Sequence, residues 1–110
     1  MVKYLYLILA ISLEVIGTSS LKASEGFTIL KPSILSIISY SACFYFLALT
    51  FKNFESIGYV YAVWSGFGIV LLTLVGIFYF KNQMDVAGII GLSLIILGVI
   101  ILNIFSKISA

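Results

Sequence analysis

The chain has 110 residues, 63% hydrophobic and 9% charged, whereas a soluble domain is roughly 45–50% apolar and about 25% charged, so a soluble globular protein is excluded. A net charge of +2 without a dense basic face excludes a nucleic-acid footprint. With no His and one Cys, no metal, haem or iron–sulfur ligand cluster, no intrachain disulfide and no cofactor chemistry is expected.

Residues 1–13 combine a Lys with an apolar stretch, as a cleavable signal would. Glu14 interrupts that stretch, no clean small-x-small cleavage site follows, and three more apolar stretches come later, so the segment is read as part of the mature protein. Runs long enough to cross a bilayer occupy residues 4–21, 33–51, 57–80 and 86–105. Short polar connectors at 22–32, 52–56 and 81–85 join them. Pro32 suits a helix start, and Ser56 and Asp85 suit N-caps. The runs are continuous rather than alternating, and backbone groups in lipid must pair internally, so helices are preferred over a barrel. The expected fold is an all-α membrane protein, with one four-helix transmembrane domain over residues 1–110 and the lipid bilayer as its surroundings.

Orientation follows Lys and Arg in the connectors. One side carries Lys3, Lys52 and Lys107, and the other carries Lys22, Lys31 and Lys81. This balance permits insertion both ways up, and hence an antiparallel homodimer; the alternative is a single orientation set by weaker local features.

Glu14 is the one Asp, Glu, Lys or Arg inside any of the four apolar runs. An acid near mid-helix costs about 2.5 to 3.5 kcal/mol on insertion scales, while each Leu, Ile or Val returns about 0.3 to 0.6. Glu14 therefore cancels most of the insertion energy of its own helix. A structural role, protonated between helices or paired with another chain's Lys, remains one reading. The other is a proton or ion pathway, because a desolvated acid favours its neutral form and can exchange protons. Helical spacing places Leu7, Ala10, Gly17 and Thr18 around it, and the small residues leave room for a ligand or close helix approach.

On the second run Tyr40, Phe44 and Leu47 share a face beside Cys43, which reads as a small buried hydrophobe. On the third, Tyr61, Trp64, Ser65 and Gly68 share another. Such stripes often mean packing, but joined to a carboxylate they suit a bulky organic cation held by charge and cation–π attraction. Gly66-Phe67-Gly68 is either a hinge or a packing point. Gly91 and Gly98 lie seven apart on one face of the last run, which reads as a packing or dimerisation helix.

Glu14-Val15-Ile16-Gly17-Thr18, Lys22 with Ser24-Glu25-Gly26-Phe27, Tyr61-Ala62-Val63-Trp64-Ser65-Gly66 and the Gly91 to Asn103 pattern, in this order, resemble the small multidrug resistance family of four-helix bacterial exporters. The resemblance spans essentially the whole chain. It implies an antiparallel, dual-topology dimer in the bacterial inner membrane, where the glutamates of both subunits bind protons or substrate in alternation. Ala10 with Ile16-Gly17 resembles the quaternary-ammonium branch rather than the guanidinium branch. By matching position, Glu14 becomes the proton and cation site. Ala10, Gly17 and Thr18 shape the pocket, and Tyr40, Phe44, Tyr61 and Trp64 wall it. Gly66 and Gly68 form the hinge, and Gly91 and Gly98 the dimer interface. One departure is the segment Phe54-Glu55-Ser56-Ile57-Gly58, which lacks the proline usual before the third helix.

The reading is proton-coupled export of hydrophobic and quaternary ammonium cations by a homodimer, with a heterodimer with a paralogue as the alternative assembly. Rivals are a guanidinium exporter of the same fold and a non-transporting membrane assembly subunit. A passive pore lacks a continuous polar lining, and an enzyme lacks a nucleophile–base pair.

Overall fold

The computed structural model describes residues 2–105, so Lys107, counted above in the charge balance, lies outside the described residues. Four helices, α1 (Val2–Ala23), α2 (Leu30–Asn53), α3 (Ile57–Phe78) and α4 (Val86–Ile104), account for most of them. Each is long and apolar enough to cross a membrane. They pair into two compact units, α1 with α2 and α3 with α4, the boundary falling between Asn53 and Phe54.

Observed bounds differ from the hydropathy bounds for a physical reason. The first two helices run on through Lys3, Lys22, Lys31 and Lys52, because Lys is a good helix former and at a helix end its long side chain can carry the ammonium to water. Pro32 falls in the first turn of α2, where its missing N–H costs no helical bond. By contrast α3 ends at Phe78, short of Phe80. The chain turns there: Lys81 takes a φ of 63°, and the Asn82 amide donates to the Gly76 carbonyl at 2.8 Å.

In the first unit the helices run antiparallel, since Tyr6 stacks near Phe46 at 6.4 Å while Gly17 lies against Ser39 and Tyr40. The buried residues of α2 are Ser33, Ser36, Ser39, Cys43, Leu47 and Thr50, a stripe of mostly small side chains at helical spacing. Small residues let backbones approach closely where lipid offers no hydrophobic drive.

The connector between α1 and α2 is organised by Ser24, which is fully buried. Its hydroxyl donates to the Leu21 carbonyl at 2.7 Å and accepts from the Phe27 amide at 3.1 Å. Its carbonyl accepts from the Thr28 and Ile29 amides. These bonds hold Glu25, Gly26 and Phe27 at φ values of 47°, 73° and 66°, a left-handed turn that favours Gly and costs the other two residues roughly 1–2 kcal/mol each. The resemblance on Ser24-Glu25-Gly26-Phe27 thus corresponds to a backbone requirement.

In the second unit α3 and α4 are also antiparallel, with Gly66 against Val99 and Ile95. Ser56 caps α3 by accepting from the Tyr59 amide at 3.1 Å, and Asp85 caps α4 by accepting from the Gly88 amide at 2.8 Å, as their positions predict. The Tyr59 phenol, fully buried, donates to Asn103 Oδ1 at 2.6 Å and ties the start of α3 to the end of α4. Tyr59→Phe leaves that amide oxygen without its phenol donor. The expected outcome is a loss of about 0.5–2 kcal/mol, read as a lower thermal unfolding midpoint in detergent micelles.

Candidate functional site

Glu14 sits on α1, half-buried, and its two carboxylate oxygens differ. Oε1 accepts a hydrogen bond from the Thr18 hydroxyl at 3.0 Å, one helical turn on. Oε2 is buried and has no hydrogen-bond partner among the described residues. The Thr18 hydroxyl in turn shares a hydrogen bond with the Tyr40 hydroxyl from α2. A carboxylate so placed carries one satisfied oxygen and one that still seeks a proton, a cation or water.

The neighbours of Glu14 explain how this fits between two helices. Leu7 and Ala10, toward the start of α1, are buried, and so is Gly17 beyond the acid. A Cβ on Gly17 would come within 3.1 and 3.2 Å of the Tyr40 ring carbons Cδ2 and Cε2 and 3.4 Å of Ser39 Cβ. Glycine is therefore what lets the Tyr40 ring come close against α1. Cys43 is fully buried on the same stripe.

Within the first unit the structure thus gathers Glu14, Ala10, Gly17, Thr18 and Tyr40. Phe44 joins through its ring, 6.2 Å from that of Tyr40, but is itself 60% exposed, while Leu47 of the expected shared face is buried. The described face of α2 toward α1 is the Ser, Cys and Thr stripe rather than an aromatic one. Sequence spacing does not predict the Thr18–Tyr40 link. The sequence signal for it is faint: a Gly and a Thr after the acid, and a Tyr beside a small residue on the next helix.

The second unit holds the remaining candidates. Tyr61 and Trp64 meet edge to face at 5.4 Å, with Tyr61 exposed. The Trp64 indole N–H and the Ser65 hydroxyl are buried and lack partners among the described residues. Orphaned polar groups of this kind cost about 1–3 kcal/mol each until a ligand, water or another chain completes them. Gly66 and Gly68 are buried. A Cβ on Gly66 would stand 2.7 Å from Val99 Cγ2, so close packing of α3 on α4 has a direct contact behind it at this position. Beside it opens an apolar crevice of about 150 Å³ lined by Gly66, Phe67, Val70, Ile96, Val99 and Ile100. Gly91 and Gly98 face open space, with nothing within 4 Å of a Cβ on either.

Four apolar helices of spanning length, with a half-buried carboxylate in the first, define a multi-pass membrane protein with four spans. The chain belongs to the Small Multidrug Resistance protein family, which it matches over residues 2–95. It is 50% identical over 102 residues to quaternary ammonium compound-resistance protein QacC of Staphylococcus aureus, covering 93% of this chain and 94% of that one. It is 46% identical over 104 residues to the resistance protein QacG of a Staphylococcus strain, covering 94% and 96% of the two chains. A multidrug transporter of Pseudomonas aeruginosa is 43% identical over 109 residues, covering 99% and 98%.

Val99 is β-branched, hence stiff at χ1, and cannot easily yield to a methyl group. Gly66→Ala is expected to destabilise the α3–α4 pair by about 1–3 kcal/mol, and adding Val99→Ala to recover most of that loss. Thermal unfolding midpoints of the single and double variants check this, and a double variant no better than Gly66→Ala would disprove the contact as the cause.

Proposed function

We propose that this protein is a proton-coupled antiporter that exports hydrophobic and quaternary ammonium cations. The observation that carries the reading is the Glu14 carboxylate, with Oε1 held by Thr18 and Oε2 buried and unpartnered. A negative oxygen in apolar surroundings attracts either a proton or an organic cation, and one charge cannot neutralise both. The resistance relatives favour the quaternary ammonium class of substrate. A quaternary nitrogen donates no hydrogen bond, so aromatic faces such as Tyr40, Phe44, Tyr61 and Trp64 suit it.

The reading includes an antiparallel homodimer in which both Glu14 side chains share the load. Two features support it: the even distribution of Lys among the termini and connectors, and the open faces at Gly91 and Gly98 on α4. Reorienting an empty, doubly anionic pair through a desolvated state is costly, so movement is favoured when protons or a cation are bound. Mutual exclusion at one site then converts inward proton flow into outward cation flow. In an antiparallel pair the inward-open and outward-open states have the same form seen from opposite sides, a relation analogous to that of inverted repeats within one chain. Gly66 and Gly68 would serve as the bend in α3 between those states.

The test is growth protection and liposome transport with the chain expressed alone. Wild type is expected to protect against lipophilic cations and to accumulate tetraphenylphosphonium in proteoliposomes under an imposed proton gradient. Glu14→Gln is expected to abolish both. An unaffected Glu14→Gln variant would disprove the site, and transport of guanidinium in place of tetraphenylphosphonium would reassign the substrate class.

A further inference from the structure

We propose that Tyr40 is a positioning residue that acts on Glu14 through Thr18, setting how tightly the carboxylate holds its proton. This rests on the reading of Glu14 as the shared proton and cation site. The direction of the chain follows from counting hydrogens. An ionised carboxylate only accepts, and Thr18 has a single hydroxyl hydrogen, which it gives to Oε1. The contact between the two hydroxyls is then made by Tyr40 donating to Thr18 Oγ1. The order is Tyr40 to Thr18 to Glu14.

Gly17 is the seat that makes this order reachable. Its bare Cα face lets the Tyr40 ring lie against α1, with ring carbons 3.1 and 3.2 Å from where a Cβ would stand. The phenol thereby reaches the residue after Gly17 in sequence. Tyr40 therefore contributes a hydroxyl as well as a wall.

The chain also makes the two carboxylate oxygens unequal. A proton arriving at Oε2 leaves Oε1 free to keep accepting from Thr18, so the chain survives in both protonation states. It is stronger when Glu14 is ionised, because hydrogen bonds to a charged acceptor are roughly twice as strong, and linked hydroxyls polarise one another. The Tyr40 hydroxyl thus strengthens the bond that Thr18 makes to Oε1, and Oε2 is the oxygen for which proton and cation compete.

In this unit the titratable side chains facing Glu14 from α2 are Tyr40 and Cys43, the latter within electrostatic reach of the carboxylate. Lys31 and Lys52 stand at the ends of α2, as Lys3 and Lys22 do on α1. Free phenols and thiols ionise near about pH 10 and 8.5, above the window in which the proposal is tested.

The experiment measures tetraphenylphosphonium binding to the full chain in lipid bicelles between pH 5 and 8. Tyr40→Phe keeps the ring and removes the hydroxyl. Its binding midpoint is expected to move up by about 0.5 to 1 pH unit, seen as binding about three- to tenfold weaker at low pH with little change at high pH. Thr18→Val is expected to shift the midpoint at least as far, and Thr18→Ser to restore it. The decisive point is the double variant: if Tyr40 works through Thr18, Tyr40→Phe adds nothing to Thr18→Val. An unmoved midpoint in Tyr40→Phe, including a uniform loss of affinity at every pH, overturns the proposal, and so do shifts that add. Should Tyr40→Phe fail to fold, equal midpoints for Thr18→Val and Thr18→Ser overturn it instead. Glu14→Gln separates the two readings. If that variant still shows wild-type pH-dependent binding, the shared-site reading fails; if it does not while Tyr40→Phe is unmoved, the positioning role alone fails.

Discussion

A carboxylic acid in the middle of an apolar helix has few stable arrangements, and the one adopted by Glu14 governs the first unit. One oxygen is tied to Thr18 a turn away, and the other is sealed from water without a partner among the described residues. Hydrogen bonds to a charged acceptor recover part of the desolvation cost, but one such bond does not neutralise a buried charge. The remaining deficit leaves the group ready to take up a positive charge. The small residues around it, Ala10 and Gly17 on its own helix and Ser39 and Cys43 on the next, let α2 come close enough to supply the second hydroxyl.

The two helical pairs solve the membrane packing problem with different chemistry. In the first, a stripe of Ser and Cys on α2 gives close approach, and the hydroxyls of Ser33 and Thr50 return to backbone carbonyls one turn back, so they place no unpaired donor in lipid. In the second, contact rests on Gly66 beneath Val99 and on the Tyr59–Asn103 bond near one end. The polar bond clamps one end of the pair, and an apolar crevice opens beside the Gly66 contact near the middle of α3.

Connectors in this chain do more than join spans. Ser24 bonds to Ser20, Leu21, Phe27, Thr28 and Ile29 at the turn between α1 and α2 and holds three consecutive residues in left-handed conformation, so the approach of the two helices is fixed at that end. In the segment that lacks the expected proline, Ser56 supplies the helix start through its side chain, with Tyr59 and Phe54 packed as rings 5.5 Å apart. A side-chain cap thus initiates α3 without the proline.

Much of this was readable from the chain itself. Hydropathy runs gave the number of helices and their order, because twenty or so apolar residues in lipid admit little besides a helix. The isolation of Glu14 singled it out as the candidate site, because an acid at that depth carries a large insertion cost. Ser56 and Asp85 were legible as caps, since capping depends on a residue and its next three neighbours. Tertiary structure decided what sequence spacing leaves open. It chose which face of α2 meets α1, seating Tyr40 on Gly17 and turning Phe44 outward, because helical periodicity defines faces without saying which one finds a partner. It also joined Tyr40 to the Thr18–Glu14 pair, since a hydroxyl twenty-two residues further along the chain from Thr18 reaches that residue only after the two helices have folded together.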